Sequence, residues 1–222
     1  MKIRFILTVF AAFLSLICHA QDDRKFIVAK AGLNICDVST KYSRSIYGLT
    51  FGFEAQHPIA KKLSLSYGAE FSQQGGKDCY DGENVFYTYT NVRLDYINLP
   101  LMLNYYIDNK NILAVKAGIE PEFTITDNCT YWYNGNFYEN YYDNSSDNYQ
   151  TYESYYDPFL HKKTEPVNDL VFSIPLGLSI NLKNFMIDAR YSIGITNAID
   201  GVNFPSIRTQ TLHLTLGYKF HY

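Results

Sequence analysis

Few side chains in this sequence have the type and spacing that catalysis needs. Histidine is the usual base for activating a nucleophile, and past the apolar leader there are four: His57, His161, His213 and His221. His57 falls beside a tight turn and His221 at the last residue but one. His213 alternates with leucines in a pattern that makes it a hydrogen-bonded filler of an interior. His161 stands next to Lys162 and Lys163 in a polar stretch that reads as ordinary solvated surface. Cys36, Cys79 and Cys129 include no Cys-x-x-Cys pair and have no neighbouring histidine, so their spacing matches no metal site. No EF-hand pattern, phosphate-binding loop or nucleotide motif occurs. The sequence therefore offers no catalytic, cofactor-binding or metal-ligating residue, and the expectation is a protein without enzymatic activity or cofactor. What it does offer is charge at strand-like spacing. Lys30, Lys116, Arg190 and Lys219 stand against Glu54, Glu70, Glu120, Glu122 and Asp188, all on the polar side of alternating segments. Near-balance is what a confined interior requires, because a buried charge is costly unless paired. These residues read as a plug of salt bridges rather than an ion path.

The elements that carry them are strands. From Thr209 to Tyr222 the residues Leu212, Leu214, Leu216, Tyr218, Phe220 and Tyr222 alternate with Thr211, His213, Thr215, Gly217, Lys219 and His221. A period of two gives a β-strand one apolar and one polar face. The same pattern recurs at about Lys25–Cys36, Tyr47–Gln56, Leu63–Ser72, Ile97–Ile107, Leu113–Thr124, Leu170–Leu182 and Phe185–Thr196. That predicts eight strands, with Pro100 and Pro175 as blemishes on the polar face. Tight turns are expected at His57–Lys61, Asp108–Asn111 and Lys183-Asn184. Moderate loops follow strand one and cover Asn197 to about Ile207, and longer ones cover about Gln74–Asn91 and Asp127–Pro166. All the tight turns thus fall at one end and the longer connections at the other, as in outer-membrane barrels.

The fold expected is all-β: an eight-stranded antiparallel up-and-down transmembrane β-barrel. Tyrosine (21) and phenylalanine (15) are plentiful among 222 residues and charged residues are only 18%, which favours strands. Mean hydropathy is −0.19, and beyond the leader no apolar run approaches the length of a spanning helix. Alternation alone leaves a soluble lipocalin-like carrier open, with the apolar face inward. The Gly, Ser, Thr and Asn of the polar face, and its balanced charges, favour a narrow interior on that side and lipid on the other. Eight strands leave no aqueous channel, so a general porin is not expected.

Residues 1–20 read as a secretory signal peptide: Lys2 and Arg4, an apolar Ile6–Ile17, then Cys18-His19-Ala20 with cleavage after Ala20. Bulky Ile17 argues against a lipoprotein at Cys18. Residues 21–222 are then the barrel domain, with no residues left for a periplasmic domain. The expected location is the outer membrane of a Gram-negative cell, loops extracellular and termini periplasmic. The formal charge is −3, and it becomes more negative once Lys2 and Arg4 are removed, which excludes a nucleic-acid partner.

The loop at about 127–166 carries Trp132 and many Tyr, Asn, Asp and Ser residues, a composition suited to recognition. Beside the outer-membrane lipids as partner, two readings of the loop stand: its tyrosines pack together and cap the barrel, or it binds a surface glycan or protein. Cys36, Cys79 and Cys129 all lie toward the long-loop end in an oxidising compartment, and Cys79–Cys129 is the first disulfide expected. A small outer-membrane lipid-modifying enzyme is the competing functional class.

Five stretches carry a family resemblance: Gly32-Leu33-Asn34, Ser72-Gln73-Gln74-Gly75, Tyr96-Ile97-Asn98-Leu99-Pro100-Leu101, Asp188-Ala189-Arg190-Tyr191-Ser192-Ile193-Gly194, and Leu216-Gly217-Tyr218-Lys219-Phe220. In order and spacing the chain resembles the PorT-type outer-membrane β-barrel family common in Bacteroidetes. The resemblance implies an eight-stranded outer-membrane barrel and a link to secretion components, and it brings no catalytic residues with it.

Overall fold

The computed structural model describes residues 25–80, 87–133, 167–200 and 206–221. They form nine ladder segments: β1 (Phe26–Val38), β2 (Tyr42–Ala60), β3 (Leu63–Tyr80), β4 (Tyr87–Asn98), β5 (Leu101–Tyr106), β6 (Leu113–Tyr133), β7 (Leu170–Asn181), β8 (Phe185–Gly194) and β9 (Thr209–His221). Every pairing is antiparallel, and β1 pairs with both β2 and β9, so the sheet closes on itself. Closure removes the edge strands that would otherwise expose unpaired backbone.

β4 and β5 are two halves of one stave. Glu70 faces Asn98 and Tyr67 faces Leu101, so the register against β3 runs through the gap without slipping. Pro100 cannot donate to a ladder, but its carbonyl accepts from the Gly68 N–H at 3.2 Å, and Leu99 N–H donates to Pro121 O at 2.8 Å. The ring therefore has eight staves, as the alternation predicts. Pro175 interrupts nothing: it faces Ser192 within β7.

The staves outrun the apolar pattern. β3 continues to Tyr80, β4 begins at Tyr87 and β6 runs to Tyr133. Most of the connection expected at Gln74–Asn91, and the first part of the one expected at Asp127–Pro166, is thus paired strand. Threonine and tyrosine favour strands without any apolar alternation to announce them. Alternation is further disturbed at Gly75 (φ 141°) and Asp78 (φ 51°), where the chain kinks as at a bulge. The moderate loop expected after strand one is only Ser39–Lys41. The leader (1–20) and residues 134–166 lie outside the described residues.

The two faces separate cleanly. Leu33, Phe53, Ile119, Leu176, Leu178 and Leu216 are exposed on the outer surface, while Lys30, Glu54, Glu70, Lys116, Asp188 and Arg190 are buried within. The carrier alternative required the opposite arrangement and is overturned. The interior is nevertheless not uniformly polar. Toward the long-loop end Val38, Cys79, Val92, Leu94, Tyr96 and Val171 form an apolar cluster with Ala198, Ile199 and Ile207. The last three belong to the β8–β9 connection, which the bridges Val167–Ile199 and Ile199–Ile207 hold against the barrel. Sequence reading treats that stretch as plain loop; burial of its alanine and isoleucines makes it a stopper.

Candidate functional site

The middle of the barrel holds one ion-pair network with signs that alternate along it. Asp188 Oδ1 lies 3.1 Å from Lys116 Nζ, which lies 2.8 Å from Glu54 Oε1. The other oxygen of Glu54 is 2.7 Å from Lys30 Nζ, and Lys30 is also 2.7 Å from Glu70 Oε1. Glu70 then receives both guanidinium arms of Arg190, at 3.1 and 2.9 Å, in the planar two-point geometry that suits arginine. Arg190 ends the run beside Glu120 at 3.6 Å. All of these side chains are about 1% exposed. Five staves contribute, β1, β2, β3, β6 and β8, so the network ties opposite walls of the ring together.

Glycine makes room for it. Lys30 faces Gly52 on one side and Gly217 on the other; Glu70 also faces Gly52, Glu54 faces Gly68, and Gly177 lies between Lys116 and Arg190. A Cβ on Gly52 would stand 2.9 Å from Glu70 Cγ and 2.2 Å from Ala69 O. The long charged side chains thus lie across neighbours that have none.

Glu120, at the end of the run, and one further carboxylate, Glu122, also take neutral partners. Glu120 accepts from Asn98 Nδ2 and from Ser192 Oγ at 3.3 Å. Glu122 accepts from Gln74 Nε2 at 2.9 Å and from Ser173 Oγ. Gln74 in turn accepts from Thr211 Oγ1 at 2.9 Å, and Asn34 Nδ2 donates to Ser72 Oγ at 2.9 Å and to Gln73 O at 3.1 Å. Sequence reading lists the charges but gives Gln74, Asn34, Asn98 and Ser173 no part. Gln74, Asn34 and Asn98 belong to the stretches that carry the family resemblance, whereas Ser173 is marked only by its place on the polar face of its strand.

The residues singled out for chemistry are not brought together. His57 Nε2 lies 2.8 Å from Tyr67 OH, and the two rings stack. His213 is buried beside Arg190 across the ladder, and neither ring nitrogen has a hydrogen-bond partner among the described residues. The hydrogen-bonded filler expected there is a filler without the bonds. His161 lies outside the described residues. The Cys79–Cys129 bridge does not suit the register. Cys129 faces Val92 of β4, and Val92 faces Gly76 of β3. A whole strand therefore stands between the two cysteines, and two strand spacings come to about 9.6 Å, beyond the roughly 7 Å limit for bridged Cα atoms. Cys36 is a buried thiol whose sulfur lies 3.4 Å from Gln73 O.

At the long-loop rim, Asp37 binds the Ser43 hydroxyl and, at 2.8 Å, the Val38 N–H. Together with Tyr42, Arg44, Asp78 and Gln210 it borders an open cavity of about 700 Å³. That polar rim, the stopper beneath it and the network below are the three layers met along the axis.

The family model described as outer membrane protein beta-barrel domain matches residues 19–200. The chain belongs to that family. It is an outer-membrane β-barrel protein, and the apolar outer surface is its contact with lipid. Among solved structures it is similar to Ail, the attachment invasion locus protein of Yersinia pestis, at 12% identity over 88% of this chain and 99% of that one, TM-score 0.42. It is also similar to Neisserial surface protein A, at 13% identity over 87% and 97%, TM-score 0.48. A third is OprG from Pseudomonas aeruginosa, at 12% identity over 90% and 98%, TM-score 0.43. No curated protein matches the sequence.

Proposed function

We propose that this outer-membrane barrel is a non-enzymatic surface protein whose long-loop end faces outward for recognition, with its termini in the periplasm. The observation that carries the reading is the blocked lumen. A cross-braced salt-bridge network and an apolar stopper leave the barrel's middle nothing to transport, so activity falls to the rim. Residues 134–166 are rich in Tyr, Asn and Ser, a composition of rigid rings and adaptable hydrogen bonders suited to a glycan or protein.

A second reading, a structural part of a secretion assembly of the PorT type, is favoured by one observation. Asn34, Ser72, Gln74, Asn98, Asp188 and Arg190, which belong to the resembling stretches, all serve the interior hydrogen-bond and ion-pair system. The test is crosslinking and pull-down from intact outer membranes with residues 134–166 present or deleted. Loss of a partner on deletion supports recognition. Co-purification of a secretion complex whether or not the loop is present supports the second reading. A loop deletion that changes only protease resistance sinks the first.

A further inference from the structure

The short-turn end of the barrel contains a cavity of about 470 Å³ that the network does not reach. Lys219 lines it and is 7% exposed. Each of the other buried lysines of the network is held by two carboxylates, Lys30 by Glu54 and Glu70, Lys116 by Glu54 and Asp188. Lys219 has none within ion-pair distance among the described residues; its ammonium lies 4.8 Å from the centre of the Phe26 ring. A ring face compensates a buried cation only in part, and burying an ammonium without a counter-charge is expensive.

The surroundings add positive charge instead of removing it. Lys61, Lys110 and Lys183, from the three short turns, border the same cavity. The one aspartate in these turns, Asp108, already accepts from the backbone N–H groups of Lys110, Ile112 and Leu113 at 2.9 Å each. Neutral polar groups converge there too. Gln56 Nε2 donates to Tyr106 OH at 2.6 Å, and both line the cavity beside the side-chain amide of Asn181. Four ammonium groups around one half-open cavity match an anion bearing more than one charge, and a phosphate accepts at several oxygens at once.

We infer that this short-turn cavity is a phosphate-binding site, with Lys219 as its buried anchor and Lys61, Lys110 and Lys183 as its rim. The phosphate has two sources, a phospholipid headgroup at the membrane surface or a soluble phosphate compound. The site does not depend on what the long-loop end recognises.

The test is NMR on isotope-labelled mature protein in phosphatidylcholine nanodiscs, titrated with inorganic pyrophosphate. Saturable one-to-one shifts at the side-chain amides of Gln56 and Asn181 are expected. Affinity should fall at least tenfold in Lys219→Met and recover in Lys219→Arg. If Lys219→Met does not fold, the triple variant Lys61→Gln, Lys110→Gln, Lys183→Gln touches only exposed turn residues and should weaken binding several-fold. Replacing part of the lipid with phosphatidylglycerol separates the sources. Shifts at the same amides, with pyrophosphate now a competitor, identify the headgroup; shifts with pyrophosphate alone identify a soluble ligand. Shifts that never saturate, or equal affinity in wild type and Lys219→Met, overturn the site. Binding seen only after Asp22→Asn and Asp23→Asn also overturns it, since the chain would then supply its own counter-charge.

Discussion

Glu70 is the joint of the interior network, because it holds both Lys30 and Arg190. Removing one partner of a buried ion pair leaves the other charged and unsolvated. Glu70→Ala should therefore destabilise the barrel by about 3–5 kcal/mol, read by urea unfolding from lipid vesicles. Arg44–Asp78 is the contrast: 3.5 Å apart at the rim, with side chains 81% and 48% exposed. Water and salt screen such a pair, so Arg44→Ala should change stability by about 0–1 kcal/mol. Equal losses in the two variants would mean that the interior is wetter than its burial implies. The charges of the network were legible at the residue scale, since their parity on the strands already put them on one face. Their pairing was not: Arg190 and Glu70 lie 120 positions apart, and only ring closure tells which stave faces which. Leu94, Ile199 and Ile207 were missed for the opposite reason, an apolar residue on a polar face or in a loop having no period to mark it.

At the level of the strand, the fit between charge and glycine makes a prediction of its own. Gly52 has Ala69 O, Glu70 Cα and Glu70 Cγ all within 3.0 Å of where a Cβ would stand, two of them backbone atoms that cannot swing aside. Gly52→Ala should cost about 1–3 kcal/mol, and pairing it with Glu70→Ala should cost less than the two losses added, because they share the same space. The β5–β6 turn titrates. Backbone N–H groups, that of Leu113 first, stabilise the Asp108 carboxylate and hold it below the usual range. A depressed carboxyl contributes stability that is present above the unfolded value near 3.9 and lost as pH falls through the folded one. Protection factors for amide exchange at Ile112 and Leu113 should therefore fall below about pH 4, and Asp108→Ala should show the lower protection already at neutral pH. Strand count and the tight turns were readable because apolar alternation runs the thickness of the membrane and stops where the turns begin. Beyond the membrane β4 keeps its ladder with the pattern inverted, Val92 and Leu94 buried in the stopper while Arg93 is exposed, so the parity that marks the lipid-facing strand breaks off there.

The whole molecule is defined by which face meets lipid, and two measurements examine that separately. Leu176 stands mid-way along β7 with its side chain outward. Leu176→Arg places a charge in hydrocarbon and should cost about 2–4 kcal/mol of folding into vesicles, whereas an aqueous outer surface would leave it neutral. The second measurement concerns the axis. An eight-stave interior is only wide enough for side chains to fill, and here it is closed twice, by paired charges in the middle and by Leu94, Tyr96, Ile199 and Ile207 toward the long-loop end. Two barriers in series conduct no better than the tighter one. Planar bilayers containing the wild type should show no current steps, and Glu70→Ala should stay silent because the stopper is intact. Ile199→Ser with Ile207→Ser should also stay silent because the network is intact. Steps from wild type or from either variant would mean that the lumen is open, and the recognition reading would give way to transport.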